Sequence, residues 1–340
     1  MKKSLLALAA LTAFAGAASA QSSVTLFGVV DLSLRNQDNG SAGTMKSLST
    51  DGNASSRLGF RGVEDLGGGM RAGFWIEGAM SPDTGGTGQT WQRRSTLSLL
   101  GGFGEIRLGR DYTPTFWNHN VFDPFGTNGV GSQTNLIAGA SPIGSGATTT
   151  VRANNTVGYF LPAMGGLYGQ VQVAAGEGSG GNKYFGGRLG YGAGPVNVAV
   201  AYGITEKTGN MIDDYTAMNV GGSYNFGFMT LMGQYHMNEQ GSNEQTMMLI
   251  AANIPMGAGT FKVSYGTTEV TQGTIKGAEA TQLALGYVYD LSKRTAVYAH
   301  YSVVDNDAGL RFTTSASGPS VASISGFKST GFELGVRHSF

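Results

Sequence analysis

Cysteine is absent from all 340 residues, which excludes disulfides, cysteine-ligated zinc and thiol catalysis together. Charge is scarce as well: only 13% of the residues are charged, with 22 basic and 22 acidic side chains. No Lys/Arg-rich run stands out, so the basic stripe of a nucleic-acid-binding domain is missing. Beyond the first twenty residues no apolar stretch approaches the roughly 20 residues of a membrane-spanning helix. What the chain has in excess is glycine, 56 residues, together with 14 tyrosines and 17 phenylalanines. A disordered chain would lack those aromatics, and a collagen would repeat glycine at every third position. Abundant glycine with many aromatics fits numerous short strands joined by tight turns.

The segment MKKSLLALAALTAFAGAASA (1–20) has Lys2 and Lys3, an apolar run from Leu5 to about Gly16, and then Ala18-Ser19-Ala20. A charged start, an apolar middle and an A-x-A site form a secretory signal peptide, with cleavage expected before Gln21. An exported chain without a spanning helix can be embedded in a membrane only as a closed barrel, the one other structure that satisfies every backbone polar group in lipid.

From Ser23, SVTLFGVVDLSLR sets Val24, Leu26, Gly28, Val30, Leu32 and Leu34 on one face and Thr25, Phe27, Val29, Asp31 and Ser33 on the other. Period two over a dozen residues is a strand between two environments. The pattern recurs at 54–65, 69–80, 90–100 and 104–110. It continues at 151–161, 165–176, 183–193, 195–205, 214–226, 227–238, 244–255, 259–269, 278–290, 294–305 and 326–340. Long polar connections alternate with minimal turns such as LGGG (66–69) and GGFG (101–104). The count is sixteen, and an even number puts both termini on one side, as in bacterial outer-membrane barrels. About 12 residues at roughly 3.3 Å each, tilted by about 45°, project to about 28 Å, close to the apolar band of such a barrel. The opposite faces carry Arg152, Asn154, Thr156, Gln170, Gln172, Asn197, Glu333 and Arg337. Unpaired, these would be costly in a dry interior, whereas barrels of 16 to 18 strands enclose an aqueous channel.

One connection differs from the rest. Asp111 to Thr150 has no sustained apolar period and carries Pro114, Pro124 and Pro142, yet it separates two strands. Loops longer than about 12 to 15 residues are usually functional, and this segment is expected to fold into the lumen and narrow it. Its aromatics Tyr112, Phe116, Trp117, Phe122 and Phe125 are expected to anchor it to the wall, while tyrosines 159, 191, 202, 235, 287, 289, 298 and 301 suit an interfacial belt.

The opening QSSVTLFGVVDLSL, the hairpin RLGFRGVEDLGGGMRAGFWIE, FGEIRLGR before the long loop, RANNTVGYFLP after it and the final GFELGVRHSF resemble the general porins of β-proteobacteria, the Gram-negative trimeric porin family, along essentially all of residues 21–340. The resemblance implies an all-β fold: a 16-stranded antiparallel transmembrane β-barrel with a long inward-folded third extracellular loop, assembled as a homotrimer in outer-membrane lipid. It further implies that the last strand, with Phe332, Leu334, Val336, His338 and Phe340 on one face, is read by the outer-membrane assembly machinery through Phe340. In the family, arginines on the wall form a basic cluster, and Arg57, Arg94 and Arg152 fall at the matching places.

Parity supports that placement: Arg57 and Arg61 oppose Leu58 and Phe60, Arg94 opposes Leu97 and Leu99, and Arg152 opposes Val151 and Val157. Asp111 and Asp123, the only carboxylates of the long loop, are expected to face them. Arginines opposite a weakly acidic loop raise the local anion concentration. Inward Glu77, Glu105 and Arg107 modify that balance, and loss of Lys2 and Lys3 with the leader leaves acids in slight excess overall. The expected function is an outer-membrane channel for passive diffusion of ions and small hydrophilic solutes, leaning to anions. The rivals are a substrate-selective channel on the same fold, marked by saturable block, and a structural barrel or adhesin. No enzyme, cofactor or metal site is indicated. Gly176, Gly178 and Gly181 spell GxGxxG without a following helix, and histidines 119, 236, 300 and 338 lack ligand spacing and a nucleophile motif.

Overall fold

The computed structural model describes residues 23–86, 88–137, 143, 146–209 and 211–340. The expected leader at 1–20 and Gln21 lie outside the described residues, as does Pro142. Among the described residues, seventeen strand segments form one antiparallel sheet that closes on itself.

The first six are β1 (Ser23–Asp38), β2 (Thr44–Thr50), β3 (Arg57–Gly67), β4 (Met70–Ala79), β5 (Arg94–Gly101) and β6 (Gly104–Tyr112). After the long connection come β7 (Arg152–Phe160), β8 (Leu167–Ala174), β9 (Tyr184–Ala193), β10 (Val196–Thr205), β11 (Tyr215–Asn225) and β12 (Thr230–Gln240). The remaining wall is β13 (Asn243–Met256), β14 (Gly259–Gln272), β15 (Ile275–Asp290), β16 (Thr295–Asn306) and β17 (Lys328–Ser339).

The sequence pattern predicts sixteen strands, and the wall has sixteen positions. The extra segment is β2, inside the polar stretch 36–53. The first half of β1 pairs with β3, from Ser23 opposite Val63 to Val29 opposite Arg57. Its second half pairs with β2, from Leu32 opposite Thr50 to Asp38 opposite Thr44. The two segments therefore share one wall position in succession. Closure is between β1 and β17, Val29 opposite Ser339 through Asp38 opposite Thr330, and the Gly28 and Phe340 backbones exchange hydrogen bonds of 3.0 and 3.1 Å.

The two faces of the wall differ in the sense that the alternation requires. Val24, Leu26 and Leu34 are more than half exposed on the outside, and Leu97, Val157, Val171, Phe332, Leu334 and Val336 continue that apolar band around the barrel. Asp31, Ser33, Gln37, Gln245, Gln282 and Glu333 point inward and are almost fully buried. A continuous apolar exterior of this extent is stable only against lipid. No helix among the described residues is long and apolar enough to span a membrane.

Two expectations fail locally. Asn154, assigned inward with Arg152 and Thr156, is exposed, because Asn155 adopts φ +54° and the register against β6 shifts between Gly109 and Asp111. This β-bulge turns two successive residues to one side. Tyr298, assigned to the aromatic belt, points into the barrel, where its hydroxyl bonds the buried Asp31 carboxylate; Tyr301, three residues on, is the one that faces out.

Candidate pore constriction

The connection between β6 and β7 crosses the inside of the barrel. Pro114 opens a helix, α1 (Pro114–Phe122), at the position where a missing N–H costs nothing. Its buried residues Thr115, Asn118, His119 and Phe122 recur at helical spacing and pack on β9 to β12. Asn118 bonds Asn219 at 2.7 Å and the Ala199 carbonyl at 3.3 Å, and Asn219 donates in turn to the Thr115 carbonyl. His119 lies 2.7 Å from Gln234 Oε1 and 3.0 Å from His236 Nε2. The Phe122 ring occupies the space over Gly221 where any Cβ would overlap it.

Beyond α1 the chain folds around Asp123. Its carboxylate accepts from the N–H groups of Phe125, Thr127 and Gln133 and from the Ser132 hydroxyl. The tip then reaches the far wall. Gln133 bonds Ser264, Gln245 and Gln282 donate to the Leu136 and Val130 carbonyls, and Val130 N–H donates to Glu333.

Many of the inward polar groups thus satisfy one another and the loop backbone, where the sequence reading assigned them to water. Glu333 is the fullest case: one oxygen takes Arg35 Nε and Nη2 at 3.0 and 2.8 Å, the other His300 Nδ1 and Val130 N–H at 3.0 and 3.2 Å.

What the loop leaves open is a cavity of about 540 Å3 between the outer side of α1 and the wall from β3 to β9. Arg57, Arg93, Arg94, Arg107 and Arg188 line it, against only two lining carboxylates, Glu77 and Asp111. Glu77 is held by Arg93 at 2.6 Å and by the Trp75 indole at 3.1 Å, and stands 3.9 Å from Arg57. Asp111 is shared by Arg107 at 2.6 Å and Arg94 at 3.6 Å. Glu105 adds a third carboxylate on Arg107 at 2.8 Å, just outside the cavity. Even with it, arginines outnumber acids five to three.

Aromatic rings hold the guanidiniums in place. Arg94 lies 4.6 Å from the Trp75 ring centre, Arg107 3.9 Å from Phe160, and Arg188 4.8 Å from Tyr168. Cation–π contacts of this kind engage the flat face of the guanidinium and leave its N–H edge to hydrogen-bond and ion-pair partners.

Among the residues expected from parity, Arg57 and Arg94 line this cavity and Asp111 pairs with Arg94 there. Arg61 lines an adjoining cavity of about 420 Å3 toward the barrel end that carries Ser23, stacked on Phe27 and Trp75. Arg152 stands behind Tyr112, 4.3 Å from its ring centre and 2.9 Å from its hydroxyl, and is not part of the lining. Asp123 does not face the arginines, since its oxygens are committed to the loop backbone. Phe340 is exposed on the outer face at the closing seam. Phe122 and Phe125 are buried anchors, whereas Trp117 is 40% exposed, toward the cavity.

Parity within β9 puts Arg188 on the same side as the buried Tyr184 and Gly186, so it was readable; Arg93 was not, because it directly precedes the first paired residue of β5. His119 and His236, far apart in sequence, are in contact, but no three metal-ligating side chains gather among the described residues.

The comparisons with known proteins agree with this architecture. The sequence signature of the Gram-negative porin family matches residues 7–309. Outer membrane porin protein 32 of Delftia acidovorans is 38% identical over the whole of both chains. The solved anion-selective porin from Comamonas acidovorans superposes with a TM-score of 0.82 at 34% identity, covering 94% of this chain and 100% of that one. The Vibrio cholerae outer membrane protein OmpT shares the fold at 15% identity, with a TM-score of 0.70 over 95% of this chain and 99% of that one. A closed antiparallel barrel, an apolar outer band, a helix-bearing loop within the lumen and likeness along the full chain lead to one conclusion: the chain belongs to the Gram-negative porin family, the β-barrel channels of the outer membrane.

Proposed function

We propose that this porin is a passive diffusion channel that favours anions, with its selectivity set at the cavity beside α1. The observation that carries the reading is the excess of arginine over carboxylate there, five lining guanidiniums against two lining acids. Arginine stays charged at any physiological pH, and a narrow passage with low-dielectric walls focuses that charge and concentrates anions. Arg57 and Arg94 supply the field at the narrowing and Arg61 extends it toward the barrel end that carries Ser23; Arg152 contributes from behind Tyr112. The 34%-identical solved relative is described as an anion-selective porin, which supports the same sign.

The protein performs no chemistry in this reading. Residues 1–20 act as a cleaved signal peptide, the 111–150 segment is the constriction loop of a single barrel from 21 to 340, and the barrel works as a homotrimer after assembly through its Phe340-terminated strand. The test is the reversal potential of the purified protein in a planar bilayer under a KCl gradient. Anion preference is expected, and a potential of the cation sign would refute it.

A further inference from the structure

Trp117 is the most exposed large aromatic among the described residues of the constriction loop. Phe122 and Phe125 are buried against the wall. Phe116 stacks on Tyr112 at 5.1 Å, whereas the Trp117 indole leans on Tyr112 at 5.7 Å with a 44° tilt. It is 40% exposed, and its N–H has no hydrogen-bond partner among the described residues. Nothing about loop anchoring requires an indole in that position, since the opposite side of the helix does the anchoring.

Among the arginines that share the cavity with it, Arg57 is the least committed. Arg93, Arg94 and Arg107 each hold a carboxylate within 3.6 Å and are 12 to 21% exposed. Arg188 is buried and tied to Asn118. Arg57 is 30% exposed, its nearest carboxylate is 3.9 Å away, and its hydrogen bond goes to the Ser55 carbonyl. A weakly paired guanidinium and an uncovered indole face therefore line one cavity of about 540 Å3, within the range that takes small organic ligands.

We propose that this cavity is a retention site for planar aromatic monocarboxylates, with the carboxylate on Arg57 and the ring on Trp117. The proposal rests on the anion-preferring reading above and narrows it to a solute class. Chloride and aliphatic acids use only the charged half of the site; a ring conjugated to its carboxylate uses both halves, because a flat π-face stacks on indole and its carboxylate takes a guanidinium edge.

The experiment is single-channel recording of the full-length purified protein with benzoate or cyclohexanecarboxylate, two acids of equal charge and ring size that differ in planarity and π character. Benzoate is expected to dwell about fivefold longer, which corresponds to about 1 kcal/mol. That ratio falls to about one in Trp117→Leu and partly recovers in Trp117→Phe, while Arg57→Gln shortens the dwell of both acids. A ratio near one in the wild type, in a channel whose KCl reversal potential shows anion preference, overturns the site and leaves the anion reading standing. A ratio unchanged in Trp117→Leu overturns the role of the indole. A cation-sign potential removes the premise itself.

Discussion

An arginine in this lumen acts through its neighbours as much as through its charge. Asp111 sits between Arg94 and Arg107 and cancels part of the field at the root of the loop, on the lining of the cavity. A unit charge about 8 Å away in water contributes about 0.5 kcal/mol to an ion. Asp111→Asn therefore raises the anion-to-cation permeability ratio at least about twofold, measured as a shift of the reversal potential toward the anion limit; an unchanged potential would show that Asp111 is screened from the path. Glu77→Gln shifts the potential in the same direction but also frees Arg93 and the Trp75 indole, both of which it holds. The Asp111 variant is the cleaner probe, because Arg107 keeps Glu105 as a partner.

At the scale of elements, α1 works as a strut whose hold on the wall depends on few contacts. Phe122→Ala removes the ring seated over Gly221, and truncating a fully buried phenylalanine costs about 3 to 5 kcal/mol. The loss falls on loop docking, so the expected result is frequent closures and added current noise with the barrel itself still folded. The docking also depends on pH. Burial pushes His119 below the ordinary histidine range, with Asp123 opposing the shift, and His236 of β12 faces it across 3.0 Å. An undocked His119 takes a proton near the ordinary value of about 6.5, so docking weakens as pH falls through that value and is fully present above it. Noise that rises between pH 7 and 5 in the wild type, and stays flat in His119→Gln, is the expected pattern; flat noise in both would show that His119 carries no pH dependence. The strands carrying this strut were legible because one face meets lipid and the other does not, which enforces period two. The short β2 was not, since TMKSLST is polar and pairs along its length with β1 alone. Nor was α1, whose one-sided packing is spread over Thr, Asn and His as well as Phe. Parity found Arg57 and Arg94 for the same lipid-against-lumen reason; it misplaced Arg152 and Asn154 because a bulge resets the alternation, and it could not foresee that Asp123 would be consumed by its own loop.

In the barrel as a whole, one joint links the closing seam to the constriction loop. Arg35 on β1, His300 on β16 and the Val130 N–H of the loop tip converge on the carboxylate of Glu333 on β17, which is fully buried. The seam that joins first strand to last is therefore also the place where the constriction loop is tied down, so barrel closure and pore geometry share a single carboxylate. Removing one member of a buried ion pair leaves the other charge uncompensated and typically costs 3 to 5 kcal/mol. Glu333→Gln preserves the volume but leaves the buried Arg35 charge without a counter-charge, with only neutral acceptors such as the Ser315 hydroxyl at 3.0 Å. Two measurements should then move together: the temperature at which the barrel unfolds, read by its altered gel migration on heating, drops, and the open-channel current becomes noisier as the loop tip loses its tie. Replacing the pair by a size-matched apolar one, Arg35→Met with Glu333→Leu, restores thermal stability by removing the stranded charge while the loop tip, still without its acceptor, stays loose. If both variants give quiet channels, the loop is held by α1 and by the tip's bonds to Ser264, Gln245 and Gln282, and the Glu333 seam serves closure only.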